Sequence, residues 1–281
     1  MVIYFNGRLV SAGNCIVSPL DHGFLYGHGL FETMRAYRGR VFRLEEHLKR
    51  LTEAAEYLCW PEIPGQAELS EAINSVLLQN HLQDASIRLT LSRGIGAARP
   101  DPTSCGQPTV VVYASPLPQP LPPEGWCVAT VKLRRNLSSP LVRIKSANYL
   151  DNMLAKAEAK CHNAQEAIML NTDGFVAEGS MSNIFFVTGG RLITPDDDSG
   201  ILPGVTRRVT IELAQATGIP VEMRQVTPGE LAGADEIFLT SSIMEIIPVT
   251  VFDGNPIGAT LAAGTITAKL QALYREIAEK E

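Results

Sequence analysis

The chain lacks most of the features that would announce a function at once. Its 281 residues include five cysteines (Cys15, Cys59, Cys105, Cys127 and Cys161), an odd number with no CxxC pair. This excludes a disulfide framework and a cysteine-rich zinc site, and reads as reduced thiols in a cytoplasmic protein. Histidine is also scarce. His22, His28, His47, His81 and His162 share no metal-ligand spacing, so no metal is expected, and His47 reads as structural. No GxSxG elbow supports a serine hydrolase, and no GxGxxG fingerprint supports dinucleotide binding. There is no run of about 18 apolar residues, which excludes a membrane-spanning helix. With 19% charged residues and a net charge of −6, the chain has neither a basic face for nucleic acid nor an acidic tail. The start, Met1-Val2-Ile3-Tyr4-Phe5-Asn6-Gly7, has the form of a strand and an Asn-Gly turn, so no signal peptide is expected.

What is present is enough apolar material, 45%, for one large or two modest domains. Ser115 to Gly125 contains five prolines, which deny it helix and central strand and favour a stiff connector. The expected division is a small N-terminal α/β domain over 1–115, a linker over 116–125 and a larger domain over 126–281. Leu44, Leu48, Leu51, Ala55 and Leu58 recur at helical steps and predict a helix over Arg43–Leu58. Further helices are expected over Ala67–Asn80, Tyr149–Cys161 and Val205–Thr217, and from about Thr265. Strands are expected over Ser86–Ser92, Thr109–Ala114, Trp126–Leu133, Ala167–Asn171, Ile184–Val187 and Glu236–Thr240.

Two residues carry the chemistry. Lys145, in Arg143-Ile144-Lys145-Ser146-Ala147-Asn148-Tyr149, stands just before a helix start. Glu178, in Ala177-Glu178-Gly179-Ser180-Met181-Ser182-Asn183-Ile184, stands on a turn that enters an apolar strand. An amine that can form a Schiff base and a carboxylate that can keep a pyridine nitrogen protonated are what a pyridoxal-phosphate site requires. Three further segments agree with the pair: Asp21 to Thr33, Arg43 to Leu51, and Gly200-Ile201-Leu202-Pro203-Gly204-Val205-Thr206-Arg207.

These five segments, in this order, resemble the class IV aminotransferases, the fold-type IV pyridoxal-phosphate enzymes. That family holds branched-chain aminotransferases, D-amino acid transaminases and aminodeoxychorismate lyases. The resemblance runs from about Phe5 to Val249. It implies an α/β fold of two domains, the larger a pseudo-barrel with the cofactor between the two, and a homodimer. It makes Lys145 the cofactor lysine, Glu178 the partner of the ring nitrogen, and Arg50 a phosphate clamp. Val205 and Thr206 can offer first-turn amides to the phosphate at a helix N-terminus. By the same resemblance Ser241 and Ser242 contact the phosphate and the substrate carboxylate, and Tyr149 reaches the cofactor's ring oxygen.

Substrate residues are expected to be Phe31, Thr33, Arg35, Arg99 and Ser242. Arg35 matches the branched-chain members, but those carry glycine where Thr33 stands; threonine there is a feature of the lyases. The arginine of the D-specific loop is displaced by one, to Arg99. The expected reaction is transfer of an amino group between an amino acid, of branched-chain or D type, and a 2-oxo acid such as 2-oxoglutarate. The alternative is a lyase that releases pyruvate and 4-aminobenzoate from 4-amino-4-deoxychorismate.

Overall fold

Asn6 and Gly7 take φ values of 46° and 87° and close a hairpin between β1 (Val2–Phe5) and β2 (Arg8–Ser11). An Asn-Gly pair suits this turn because both central residues need positive φ. In the computed structural model, which describes residues 1–117, 125–258 and 264–281, the chain is mixed α/β and divides into two units. One comprises Met1–Pro118, Ile144–Asn148 and Glu281; the other comprises Gln119–Arg143 and Tyr149–Lys280. Of the expected linker, residues 118–124 lie outside the described residues.

The first unit contains β1, β2, β3 (Gly29–Tyr37), β4 (Arg40–Val41), β5 (Ala85–Ser92) and β6 (Thr109–Pro116), with helices α1 (His22–Tyr26), α2 (Leu44–Tyr57) and α3 (Gln66–Gln79). The strands pair antiparallel in the order β2-β1-β6-β5-β3-β4. Alternate residues of the central strands, such as Leu30, Met34, Ile87, Leu89 and Val112, form a core with Leu48 and Leu51 of α2 and Leu69, Ile73 and Val76 of α3. Side chains of a strand alternate between faces, so Phe31, Thr33, Arg35, Ser86, Arg88 and Thr90 belong to the other face of the sheet.

The segment carrying Lys145 joins this sheet. The Phe31 amide donates to the Lys145 carbonyl at 3.0 Å, and the Ala147 amide donates to Gly29 at 2.8 Å. Ser146 bridges Leu30 on the edge of β3 that β4 covers only at Ala36 and Tyr37. Division of the chain at the proline stretch alone assigns Lys145 to the second part. These backbone bonds, with Ile144 packed on the core, assign Ile144–Asn148 to the first unit instead.

The second unit contains β7 (Trp126–Arg135), β8 (Glu166–Asn171), β9 (Val176–Gly179), β10 (Asn183–Thr188), β11 (Arg191–Thr194), β12 (Val221–Met223), β13 (Glu236–Ser241), β14 (Glu245–Phe252) and β15 (Asn255–Pro256). Its helices are α4 (Leu150–Cys161), α5 (Val205–Ala216), α6 (Pro228–Ala232) and α7 (Thr265–Lys280). The strand path is β12-β11-β10-β13-β14-β7-β8-β9, with β15 on β14. β9 ends that path, yet Gly179 turns the chain into β10 through a 2.7 Å bond from its amide to the Ser182 carbonyl. A connection this short pulls the far edge of the sheet round towards β10, and the sheet curls as a half-barrel. Ala155 and Ala159 of α4 pack on Ala129, Ala167 and Met169, and the four alanines let helix and sheet approach closely.

The helices expected over Arg43–Leu58, Ala67–Asn80, Tyr149–Cys161 and Val205–Thr217 appear as α2, α3, α4 and α5, within one residue at each end. The strands β2, β3, β4, β9, β11, β12, β14 and β15 and the helices α1 and α6 are additions that the sequence pattern does not mark. Among the described residues, no helix is long and apolar enough to cross a membrane, and no group of His, Cys, Asp and Glu is arranged to hold a metal.

Candidate active site

On the face of the first unit's sheet opposite its core, Phe31 is the centre of a cluster. The Lys145 Nζ lies 4.5 Å from its ring centroid and the Arg88 guanidinium carbon lies 3.4 Å from it. Arg88 stands opposite Thr33 in the β3–β5 register, and its Nε also donates to Thr90 Oγ1 at 3.3 Å. Arg35, further along the same face, stacks on Tyr37 at 4.6 Å. The structure thus brings Lys145, Phe31, Thr33 and Arg35 onto one strand face. It adds Arg88, which sequence reasoning missed because an arginine in a short strand carries no motif. Arg99 is separate from this cluster: its side chain is 75% exposed and pairs with Asp101 at 3.1 Å.

Arg50 points to the core side of β3. Its Nε and Nη2 donate to the two oxygens of Glu32 at 2.8 and 2.6 Å, and His47 Nδ1 lies 2.7 Å from the same carboxylate. Burial pushes the Glu32 carboxyl up, but Arg50 and then His47 more than offset it and bring it to about 2 from an ordinary 4.5. Glu32 is therefore an anion that only accepts, and His47 must carry its proton on Nδ1. Burial holds the His47 imidazole below its ordinary value despite Glu32, and Arg50 and Lys145 push the same way.

Glu178, at the end of β9 in the second unit, is held at both oxygens. Arg135 Nη2 reaches Oε1 at 2.9 Å, while the Asn183 amide and the Leu202 backbone N–H each donate to Oε2 at 3.0 Å. Arg135 is itself fixed by bonds to the carbonyls of Gly200 and Val142. The turn that follows leaves little room at Gly179, where a Cβ would lie 2.2 Å from Ser182 Oγ and 3.1 Å from the Ser182 carbonyl oxygen. Ser180 anchors the turn to Glu166 through both its hydroxyl and its amide. Tyr149 donates to the Ser180 carbonyl at 3.1 Å and Asn152 to the same oxygen at 2.7 Å. Tyr149 is thus tied to the Glu178 turn, a contact that its spacing from Lys145 did not reveal.

Asn183 also joins Glu178 to the start of α5. Its amide donates to the Leu202 carbonyl at 2.9 Å, and its Oδ1 would lie 2.0 Å from a Cβ on Gly204. Gly204 is the N-cap of α5, and no side chain caps the helix. Val205 and Thr206 are buried there, with first-turn amides that have no intrahelical partner. Thr240, opposite Asn183 in the β10–β13 register, has a buried hydroxyl without a partner among the described residues. Ser241 and Ser242 follow it into the turn before β14, where Ser241 Oγ accepts from the Met244 amide at 3.3 Å. Glu245 closes this turn with φ 57°, pinned by Arg275 of α7 at 3.0 Å. A buried carboxylate, an uncapped helix start and an unpartnered hydroxyl fit a ligand that has a ring nitrogen and a phosphate.

The family pattern for class IV amino-transferases matches residues 29–252. A Methanocaldococcus jannaschii protein, provisionally named a branched-chain-amino-acid aminotransferase, is 42% identical over 283 residues, covering 100% of this chain and 97% of that protein. A Bacillus subtilis (strain 168) protein named aminodeoxychorismate lyase is 38% identical, covering 98% of this chain and 94% of its own. A solved structure, the branched-chain amino acid aminotransferase from Thermobaculum terrenum in its PLP-bearing holo-form, superposes with a TM-score of 0.88 at 29% identity, covering 99% of this chain and 94% of that one.

The buried triad predicts an acid-sensitive fold. A lowered carboxyl contributes stability that is complete above its ordinary 4.5 and is lost as pH falls through about 2. His47, also lowered, acts in the same direction below its ordinary 6.5. Chaotrope midpoints at pH 7, 5 and 3 should therefore fall with pH, and the double variant Glu32→Gln/His47→Leu, which removes both titrating groups, should show a flatter decline from a lower starting value. An equally steep decline in that double variant would show that the acid sensitivity lies elsewhere.

Proposed function

Because this chain belongs to the class IV aminotransferase family, we propose that it is a pyridoxal-phosphate enzyme moving an amino group between a branched-chain L-amino acid and a 2-oxo acid such as 2-oxoglutarate. The observation that carries the substrate reading is the stack on Phe31. A nucleophilic amine, Lys145, and a fixed cation, Arg88, flank one apolar ring. An amino acid has the matching parts: an amine to exchange, a carboxylate for the arginine and an apolar side chain for the ring.

When bound, pyridoxal phosphate supplies an electron sink for the charge left as a substrate Cα–H bond breaks. The chain's own residues do the rest. Lys145 would hold the cofactor covalently, and its Nζ, once freed by the incoming amine, would take the proton from the substrate Cα and deliver it to the cofactor rather than back to Cα. Glu178 binds the ring nitrogen and keeps a proton on it by opposite charge. The amides of Val205 and Thr206, the Thr206 hydroxyl and Arg50 bind phosphate. Ser241 and Ser242 serve the phosphate and the substrate carboxylate from the β13–β14 turn. Arg88 and Arg35 receive substrate carboxylates, and Phe31 walls the substrate side chain. Tyr149, through Ser180, steadies the turn that follows Glu178. Arg99, the residue a D-specific site would use, is exposed and paired with Asp101, which supports the L donor.

Thr33 favours a second reading. It stands opposite Arg88 on the same face, where it can pass a proton during release of pyruvate from 4-amino-4-deoxychorismate. The 38% identity to a protein named as that lyase belongs with this reading.

We place the enzyme in the cytoplasm as a homodimer. The unpaired cysteines suit a reducing compartment. Ile16, Val17, Leu20, Phe24 and Leu25 in the first unit, and Leu150, Met153 and Leu154 in the second, leave apolar side chains exposed that a second copy would cover.

Three outcomes are expected. Borohydride reduction of the purified protein followed by peptide mapping places the cofactor on Lys145; an adduct on another lysine would overturn the site. Light scattering gives a mass twice the 30.5 kDa of one chain, whereas a monomer would remove the dimer. In the third, a panel of L- and D-amino acids with 2-oxoglutarate shows amino transfer from branched-chain L donors, and Thr33→Gly loses only a little of it. Pyruvate release from 4-amino-4-deoxychorismate with no amino transfer, abolished in Thr33→Gly, decides for the lyase.

A further inference from the structure

Glu32 is the one charged group of β3 that faces the core, and the chemistry proposed above does not use it. It lies in phase with Leu30, Met34 and Ala36 and is fully buried among them. An ion pair placed there costs desolvation that an apolar side chain of similar size would avoid. What the arrangement gives in return is geometry. The two bonds from Arg50 Nε and Nη2 run side by side to the two Glu32 oxygens and fix the plane of the guanidinium. His47 stands three residues before Arg50 on α2, so both side chains leave the helix on the face turned to β3. Its Nδ1–H donates to the same oxygen that receives Nη2, which fixes the carboxylate against rotation. Neither Glu32 nor His47 is exposed to any ligand, so whatever they do for binding they do through Arg50.

We propose that Glu32 and His47 are positioning residues for the phosphate of the cofactor, holding the Arg50 guanidinium in the one plane in which its fork meets phosphate oxygens. The inference rests on the reading of Arg50 as phosphate clamp. Under it, Arg50 acts as an oriented fork, held in one plane by its two bonds to the Glu32 carboxylate. The consequence is specific. Glu32 governs affinity for a phosphorylated cofactor and leaves affinity for the same ring without phosphate nearly unchanged. A purely structural role would weaken both ligands alike.

The test compares pyridoxal phosphate with pyridoxal on the full chain resolved of its cofactor, following the bound chromophore by absorbance, with circular dichroism as the folding check. In the unaltered protein the phosphate ester is expected to bind more tightly than pyridoxal, by about tenfold or more. Arg50→Ala is expected to reduce that preference by about tenfold or more, the scale of a lost charge-assisted contact. Glu32→Gln is expected to reduce it comparably, with pyridoxal affinity changed by less than about twofold. His47→Leu is expected to move the ratio in the same direction by a smaller factor; an unchanged ratio removes His47 from the assignment. If Arg50→Ala keeps the full preference, the clamp reading fails and this inference falls with it. If Arg50→Ala loses the preference while Glu32→Gln keeps it, or weakens both ligands equally, the positioning role alone is overturned. Should Glu32→Gln not fold, Arg50→Lys decides, because it keeps the charge and lacks the fork. It is expected to match Arg50→Ala, and retention of the preference in Arg50→Lys would overturn the proposal.

Discussion

Keeping Glu32 ionised inside the core is the constraint from which the first unit's arrangement follows. An isolated buried carboxylate costs several kcal/mol, so the carboxylate has to be met there by donors. Arg50 and His47 supply them, and they can do so only if α2 is rotated to face β3 with that part of its surface. The same rotation delivers Leu48 and Leu51 to the core. One residue earlier on the strand, Phe31 projects to the opposite face and carries Lys145 and Arg88 against its ring. A one-residue slip of β3 would exchange these faces, turning Phe31 into the core and Glu32 away from Arg50 and His47. The buried ion pair therefore specifies register as well as binding an arginine.

The second unit solves a similar problem at Glu178 by different means. Here one arginine and two N–H donors hold the carboxylate at the end of a strand, and Gly179 makes room for the turn that brings it there. A contrast runs through this unit. Groups that must stay in place are held by several bonds, as Glu178 and Ser180 are. Groups suited to an incoming anion are left short of partners, as the start of α5 and the Thr240 hydroxyl are. Unmet hydrogen-bonding capacity in a buried place costs stability until a ligand satisfies it.

Much of this was legible in the sequence, and the exceptions have physical causes. Helices with a clean 3.6-residue apolar period, such as α2, emerged to within a residue, and the Lys145 and Glu178 segments stood out by resemblance. Strand β3 did not emerge because Glu32 occupies a core position and breaks the alternation of Leu30, Met34 and Ala36. Pro248 hid β14 in a comparable way. It sits just ahead of Val249, where the parallel pairing with β7 begins, so its missing N–H interrupts no ladder bond there. The attachment of Lys145 to β3 was invisible because it is made by backbone atoms, which carry no residue signature. Arg88 and Arg135 lie in strands outside any motif, and only the register and the partners identify them.

The same buried pairs limit what alanine scanning can say about the site. Removing one member of a buried ion pair typically costs about 3–5 kcal/mol, because the other charge is left uncompensated. Whole domains are stable by only about 5–15 kcal/mol, so such a change can unfold the protein before it reports on binding. A loss of activity in Glu178→Ala or Glu32→Ala would therefore mix two causes. Isosteric changes keep the packing and one accepting oxygen while removing the charge, which separates the two more cleanly. A ligand lacking one functional group separates them further, since the protein, and with it the folding term, is the same in both measurements. At a site built on buried charge, differences between ligands report on binding, while differences between variants report first on stability.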